Sequence, residues 1–233
     1  MNEINNKMNK INNKIDYDNT IIKNNITKNN ITKNNITKSK YRFFPKNKKE
    51  LQQIIKQQIN KHGNTINLNN IDTTQITDMS ELFIFSNINM FNGDISEWNV
   101  SNVTNMTAMF YGSKFNNDIS KWNVSNVSTM SWMFANSEFN NDISNWNISN
   151  VISIHSIFVN SKFNQDISKW DVSNVTNMSS MFYSSKFNKN ISKWFNKIDN
   201  NCKLQNFGIL NNIEINSYSD FKQYHRQMIL NKL

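Results

Sequence analysis

Four aspartates, Asp94, Asp118, Asp142 and Asp166, recur every 24 residues, and Asn190 takes the fifth place. Stacked over one another, such carboxylates would lie about 5 Å apart, and a column of oxygen ligands is a site that Ca²⁺ could occupy. The same Asp-x-Ser sequence also closes an Asx-turn on its own backbone. Asn190 fills the position without charge, so the turn reading is preferred and no metal ligand is assigned. The rest of the reactive inventory is thin. His62, His155 and His225 are scattered, and His155 has no His or Cys at ligand spacing. Four glycines scarcely allow a phosphate-binding loop. Repeated Asp and Ser without a positioned base do not make a triad. The chain is therefore read as a non-enzyme, with no catalytic residue, no cofactor and no small-molecule substrate. The single Cys202 has no internal disulfide partner and points to a reducing compartment.

The aromatic residues keep the same period. Phe91, Phe115, Phe139, Phe163 and Phe187 are 24 residues apart, as are Trp98, Trp122, Trp146, Trp170 and Trp194. A fixed period in this range marks stacked repeats. Within one unit the apolar positions are Ile119, Trp122, Val124, Val127, Met130, Met133, Phe134 and Phe139. Alternation around Trp122 and Val124 suggests a short strand, and the Met130 to Phe134 spacing fits a short helix or 3₁₀ turn. One unit cannot bury so many large side chains alone; stacked, it places Trp on Trp and Phe on Phe. These ten aromatic residues are read as structural columns.

Composition divides the chain into four parts. Residues 1–40 are low-complexity, with NNITK in tandem, and read as a disordered basic arm. Residues 1–50 carry 12 Lys/Arg against 4 Asp/Glu, most of the formal net charge of +9. Residues 41–65 read as a capping helix: Pro45 restricts its entry, Leu51, Ile54, Ile55 and Ile59 form a stripe, and Gly63 ends it. Residues 66–194 are the array, with a divergent first unit in which Ile76, Met79, Leu82 and Phe83 match Val103, Met106, Met109 and Phe110. Residues 195–233 read as a second cap. Its helix starts at Ser219 or Asp220 and carries a stripe of Phe221, Tyr224, Met228 and Ile229. The N-terminus has no apolar stretch typical of a signal peptide, and no run is long enough to span a bilayer. An intracellular location without membrane contact is expected.

Asn102, Asn126, Asn150 and Asn174 form another uniform column, read as an amide ladder that satisfies turn backbone. Positions that change from unit to unit are the better guide to a partner. They single out Lys121, Asn123, Trp132, Asn147, Lys169 and Asp171 as candidate partner-binding residues. Trp132 stands off the core register and has the character of an exposed anchor. Nucleic acid through residues 1–50 is a weaker expectation, because the arm lacks interleaved aromatic residues.

The string DIS-x-W-[ND]-[VI]-S-N-V-x-x-M-x-x-M-F, followed by Phe-Asn, resembles the BspA-like leucine-rich-repeat family over about residues 41–194. The pattern recurs four times, with Ile154 and Ile157 replacing the Met pair in the third unit. The resemblance implies a solenoid and suggests adhesion or protein binding, with a surface location. Together these readings give an α/β fold: a right-handed leucine-rich-repeat-like solenoid with short parallel strands and a helical cap at each end. The expected function is a non-catalytic protein–protein interaction scaffold with an unidentified protein partner. Its alternatives are a cell-surface or virion-surface adhesion protein, and a nucleic-acid-associated protein using the basic arm.

Overall fold

The computed structural model describes residues 40–85, 88–210 and 212–231. The basic arm read over residues 1–40 lies outside these, apart from Lys40. Helix α1 spans Lys48–His62. Its N-cap is Asn47, whose side chain accepts from the Glu50 N–H at 3.0 Å, while Glu50 reaches back to the Lys46 N–H at 3.0 Å. Leu51, Ile54, Ile55 and Ile59 form its buried face. Gly63, at φ 87°, closes the helix by donating its N–H to the Ile59 carbonyl at 2.8 Å.

The expected solenoid on parallel strands is overturned. The only strands among the described residues are β1 (Gly208–Leu210) and β2 (Ile213–Ile215), and they pair antiparallel. Around Trp122 and Val124, where a strand was expected, the Trp122 N–H folds back onto the Ile119 carbonyl at 3.1 Å and the Val127 N–H onto the Val124 carbonyl at 2.9 Å. These two turns in succession interrupt the extended backbone that a strand needs. Parallel pairing is reduced to isolated bridges further along each unit, such as Asn105 to Thr129 and Thr129 to Ser153. The stretch read as a short helix or 3₁₀ turn also folds into turns: the Met109 N–H meets the Met106 carbonyl and the Ser113 N–H the Phe110 carbonyl. Ala108 and Gly112, the third residues of these turns, take φ 54° and 64°, the type II pattern rather than a helical one.

Successive turns are nonetheless bonded to one another. The N–H groups of Met106, Ala108, Phe110 and Gly112 donate to carbonyls of Thr129, Ser131, Met133 and Ala135 at 2.9–3.0 Å. The Thr104 and Ser128 N–H groups point the other way, to Thr77 and Thr104 carbonyls. Side chains follow this register. Phe91 and Phe115 stack at 6.1 Å with planes 5° apart, and Trp98 and Trp122 at 6.5 Å with planes 2° apart. Phe110 and Phe134 belong to a further column, stacked at 5.7 Å, and each packs on the neighbouring one: Phe134 lies 4.2 Å from Phe139. Each large side chain buried this way stabilises the fold by about 1.5–3 kcal/mol.

The last unit ends in a 3₁₀ turn, Ser192–Asn196, and is covered by helix α2, Tyr218–Leu230. The cap of α2 is Ser217, ahead of the Ser219 or Asp220 expected; its hydroxyl accepts from the Asp220 N–H at 3.2 Å. Phe221, Tyr224 and Met228 face inward. Ile229, read as part of this stripe, is instead 50% exposed, because the helix lies on the core through its Phe221 side. Tyr224 ties helix to array: its hydroxyl accepts from the Ile191 N–H at 3.0 Å and donates to Asn190 Oδ1 at 3.3 Å.

Candidate functional site

The five Phe and five Trp of the read columns are all buried, none more than 4% exposed. A buried indole N–H is costly without an acceptor, and four of the five have one, while Trp194 Nε1 at the end of the column is buried without a partner among the described residues. Trp98, Trp122, Trp146 and Trp170 donate to the carbonyls of Leu68, Ile95, Ile119 and Ile143 in the preceding turn, at 3.0–3.2 Å. This bond fixes the vertical register as well as filling space.

The aspartate column is used locally. Asp94, Asp118, Asp142 and Asp166 each accept from the N–H of the serine two residues on, at 2.8–2.9 Å, and Asn190 does the same to Ser192. The Ser120 and Ser168 N–H groups and hydroxyls hold the Asp118 and Asp166 carboxyls below the usual carboxylate range, against the opposing effect of burial. Among the described residues no group of three or more His, Cys, Asp or Glu is placed to share a metal ion. Asn102, Asn126, Asn150 and Asn174 each donate a side-chain amide to a carbonyl of the preceding unit, at 2.6–2.8 Å, from an exposed position rather than an internal one. A second Asn ladder was not read from the sequence. Asn92, Asn116, Asn140 and Asn164 accept from the N–H of their own successors, at 2.8–3.0 Å. The repeated Phe-Asn dipeptide was its visible signal.

The candidate partner-binding residues divide between two turns of the unit. Lys121, Asn123, Asn147, Lys169 and Asp171 are exposed and belong to the turn that follows the aspartate column. Asn123, Asn147 and Asp171 each spend a side-chain oxygen on the serine N–H two residues on, at 3.1–3.3 Å. Asp171 also pairs with Lys197 at 3.7 Å. Lys121 and Lys169 stand beside Asp118 and Asp166 and add to the lowering of those carboxyls. An ion triad absent from the sequence reading links three units: Glu138 takes Lys114 at 2.5 Å and Lys162 at 3.3 Å. Trp132 lies elsewhere, half-buried on the turn that begins at the bridge residue, with its ring centroid 6.2 Å from Tyr111 and 5.3 Å from His155.

His155, His225 and Cys202 are engaged individually. His155 Nδ1 lies 2.8 Å from the Ser179 carbonyl, and His225 Nδ1 lies 2.8 Å from that of Ser192 while its ring stacks on Phe195. Burial pushes the Cys202 thiol up to about 11, far from the range of a reactive thiolate. An open pocket of about 230 Å³ lies where the last full unit meets the β1–β2 hairpin, lined by Tyr183, Ser184, Asn206, Ile209 and Glu214 among others. No described helix is long and apolar enough to cross a membrane.

Two overlapping stretches, residues 49–162 and 135–216, match the family model described as "Mycoplasma protein of unknown function, DUF285". Neither a curated protein nor a solved structure gives a significant match.

Proposed function

The chain belongs to this DUF285 family, and from that premise we propose that it is a non-catalytic protein–protein interaction scaffold. One observation carries the reading. On the turn after the aspartate column the Ile, Ser and Trp of the framework are constant, while the exposed position three residues after each aspartate, and after Asn190, changes from Glu97 to Lys121, Asn145, Lys169 and Lys193. The framework is spent on its own hydrogen bonds; the charges that differ are exposed, with Glu97 paired to Lys40. A row of this kind gives a protein partner an ordered charge pattern to read, and charge complementarity sets specificity and encounter rate more than raw affinity. Kinship with the BspA-like repeat proteins is the finer assignment we attach to the family, on the strength of the DIS-x-W-[ND]-[VI]-S-N-V string. That kinship supports a second reading, adhesion at a cell or virion surface. An intracellular location is the first reading, and the nucleic-acid alternative would rest on the arm outside the described residues.

Proximity labelling in the native cell, with the wild-type chain and a Lys121→Glu/Lys169→Glu double variant, tests the proposal. The expected result is a small set of protein neighbours depleted by the double variant at unchanged melting temperature. An identical neighbour set for both chains would refute the charged turn as the docking surface. A set dominated by envelope or extracellular proteins would favour adhesion.

A further inference from the structure

The surface around Trp132 is electrically blank. The stretches Thr104 to Gly112, Ser128 to Asn136, Ile152 to Asn160 and Thr176 to Ser184, one per unit, contain no Lys, Arg, Asp or Glu. Charge returns on the turns beyond, as Asp78 and Glu81 on one side and Lys203 on the other, and two residues past the stretches, where Lys114 and Lys162 pair with Glu138 and Lys186 follows. In its place are hydroxyls linked across units, Thr107 to Thr129 at 3.3 Å and Ser131 to Ser153 at 2.8 Å. Beside them runs an apolar stripe. Tyr111 and Tyr183 are 40% and 55% exposed, Val159 is half-buried, and Ile209, 65% exposed, ends the stripe among the residues of the pocket.

Trp132 occupies this surface at a cost. Its φ is 63°; at the equivalent place Ala108, Ser156 and Ser180 take 54–56° with much smaller side chains, and Glu81, the unbranched residue of the first unit, takes 57°. A bulky residue in the left-handed region is an outlier, and such strain gathers where ligands are held. Trp132 joins none of the buried columns. Its ring lies between Tyr111 and His155 and makes an aromatic cluster across three units.

We propose that this surface binds an uncharged polysaccharide, laid across successive units with sugar rings against Tyr111, Trp132 and Tyr183. The charge pattern selects this class of ligand. A glycan without ionic groups brings no charge to be desolvated against turns that carry no charged side chain of their own. Its hydroxyls both donate and accept, as do the Thr and Ser hydroxyls, while its apolar ring faces match the aromatic ones. A single-stranded nucleic acid would also stack, but it needs cations along its backbone. A second copy of the chain would need about 800 Å² per partner. Five turns, from Tyr111 to Ile209, at about 4.8 Å give a stripe only about 19 Å long and one side chain wide. The site lies on a different turn from Lys121 and Lys169, so it goes beyond the protein-scaffold reading and the two fail independently.

The test is calorimetric titration of the full chain with cellohexaose, chitohexaose and maltohexaose, with heparin as the charged comparison. It is repeated for Trp132→Ser and Tyr183→Ala, residues that sister units already carry at these places. The expected result is binding of at least one neutral hexasaccharide with a submillimolar dissociation constant, no binding of heparin, and a loss of at least tenfold in each variant. Melting temperatures should not fall, because both substitutions leave the buried columns intact. The proposal is overturned if none of the three sugars binds, or if both variants bind as the parent does. It is equally overturned if sedimentation shows a self-association that Trp132→Ser abolishes, which would make the surface an interface between copies.

Discussion

At the residue scale, the repeated side chains hold the chain's own backbone. Asp118 shows how. Its carboxyl accepts from Ser120 at 2.8 Å, and the bond favours the ionised form. A folded value below the usual ~3.9 means the unfolded chain binds the proton more readily. The contribution to stability is therefore complete above that value and lost as pH falls through the lower folded one. Asp118→Asn should keep the turn, as Asn190 does, and change stability at neutral pH by less than about 1 kcal/mol. Its melting temperature should decline less steeply than the parent's below about pH 4, which thermal melts across an acid series would read. A steeper decline would contradict the assignment. Trp146 is the other informative residue. Trp146→Phe keeps most of the ring volume but removes the indole bond to the Ile119 carbonyl, which retains the one from the Trp122 N–H. A loss of about 0.5–1.5 kcal/mol by urea denaturation is expected.

At the scale of elements, the helices follow their caps and the array follows its close contacts. Asn47→Ala removes the acceptor at the start of α1 and should cost about 1 kcal/mol in chemical denaturation. The first unit has a tighter requirement. Gly93 stands where later units hold Asn117 and Asn141, because a Cβ there would sit 1.9 Å from the Ile66 carbonyl oxygen. Gly93→Ala must move the backbone before the array, and a cost of about 1–3 kcal/mol is expected from the same measurement. The stripe of α1 was legible in the sequence because Leu51, Ile54, Ile55 and Ile59 carry a helical period that any burial would use. The buried face of α2 was only partly legible. Phe221 and Ile229 both fit a helical stripe, and the rotation that buries the first and exposes the second comes from contacts with Phe207 and Ile191, distant in sequence. Parallel strands were misread for a related reason. Alternation around Trp122 looks the same in a strand and in successive turns, and only the backbone bonds distinguish them.

At the scale of the whole molecule, stability is shared between neighbouring turns and ends where the stack ends. Units in the middle have partners on both sides; the first leans on α1, through the Gln52 amide and the Glu81 carbonyl, and the last on α2. Hydrogen exchange should therefore show the amides of Met130, Trp132 and Phe134 protected longest, with protection falling toward Met79 and Met178. Uniform protection would mean the body opens only as one unit. Removal of residues 217–233 should uncover Phe207 and the Ile191 end of the array, with increased binding of a hydrophobic dye and a lower melting temperature.

The chain's own order of residues determined the period, the aromatic columns and the two helices, because a step of 24 repeated without drift leaves equivalent side chains only one another to pack against. Tertiary structure alone decided what the backbone does between those side chains. Left-handed residues at Ala108, Trp132, Ser156 and Ser180 make turns where a short helix was read, and bonds such as that from the Trp122 N–H to the Ile119 carbonyl make turns where a strand was read. They also leave one surface without charge and another with a changing row of it. A one-dimensional pattern records how often a residue returns; which neighbour its N–H meets, and which way the side chain then faces, is settled by hydrogen bonds to the next turn.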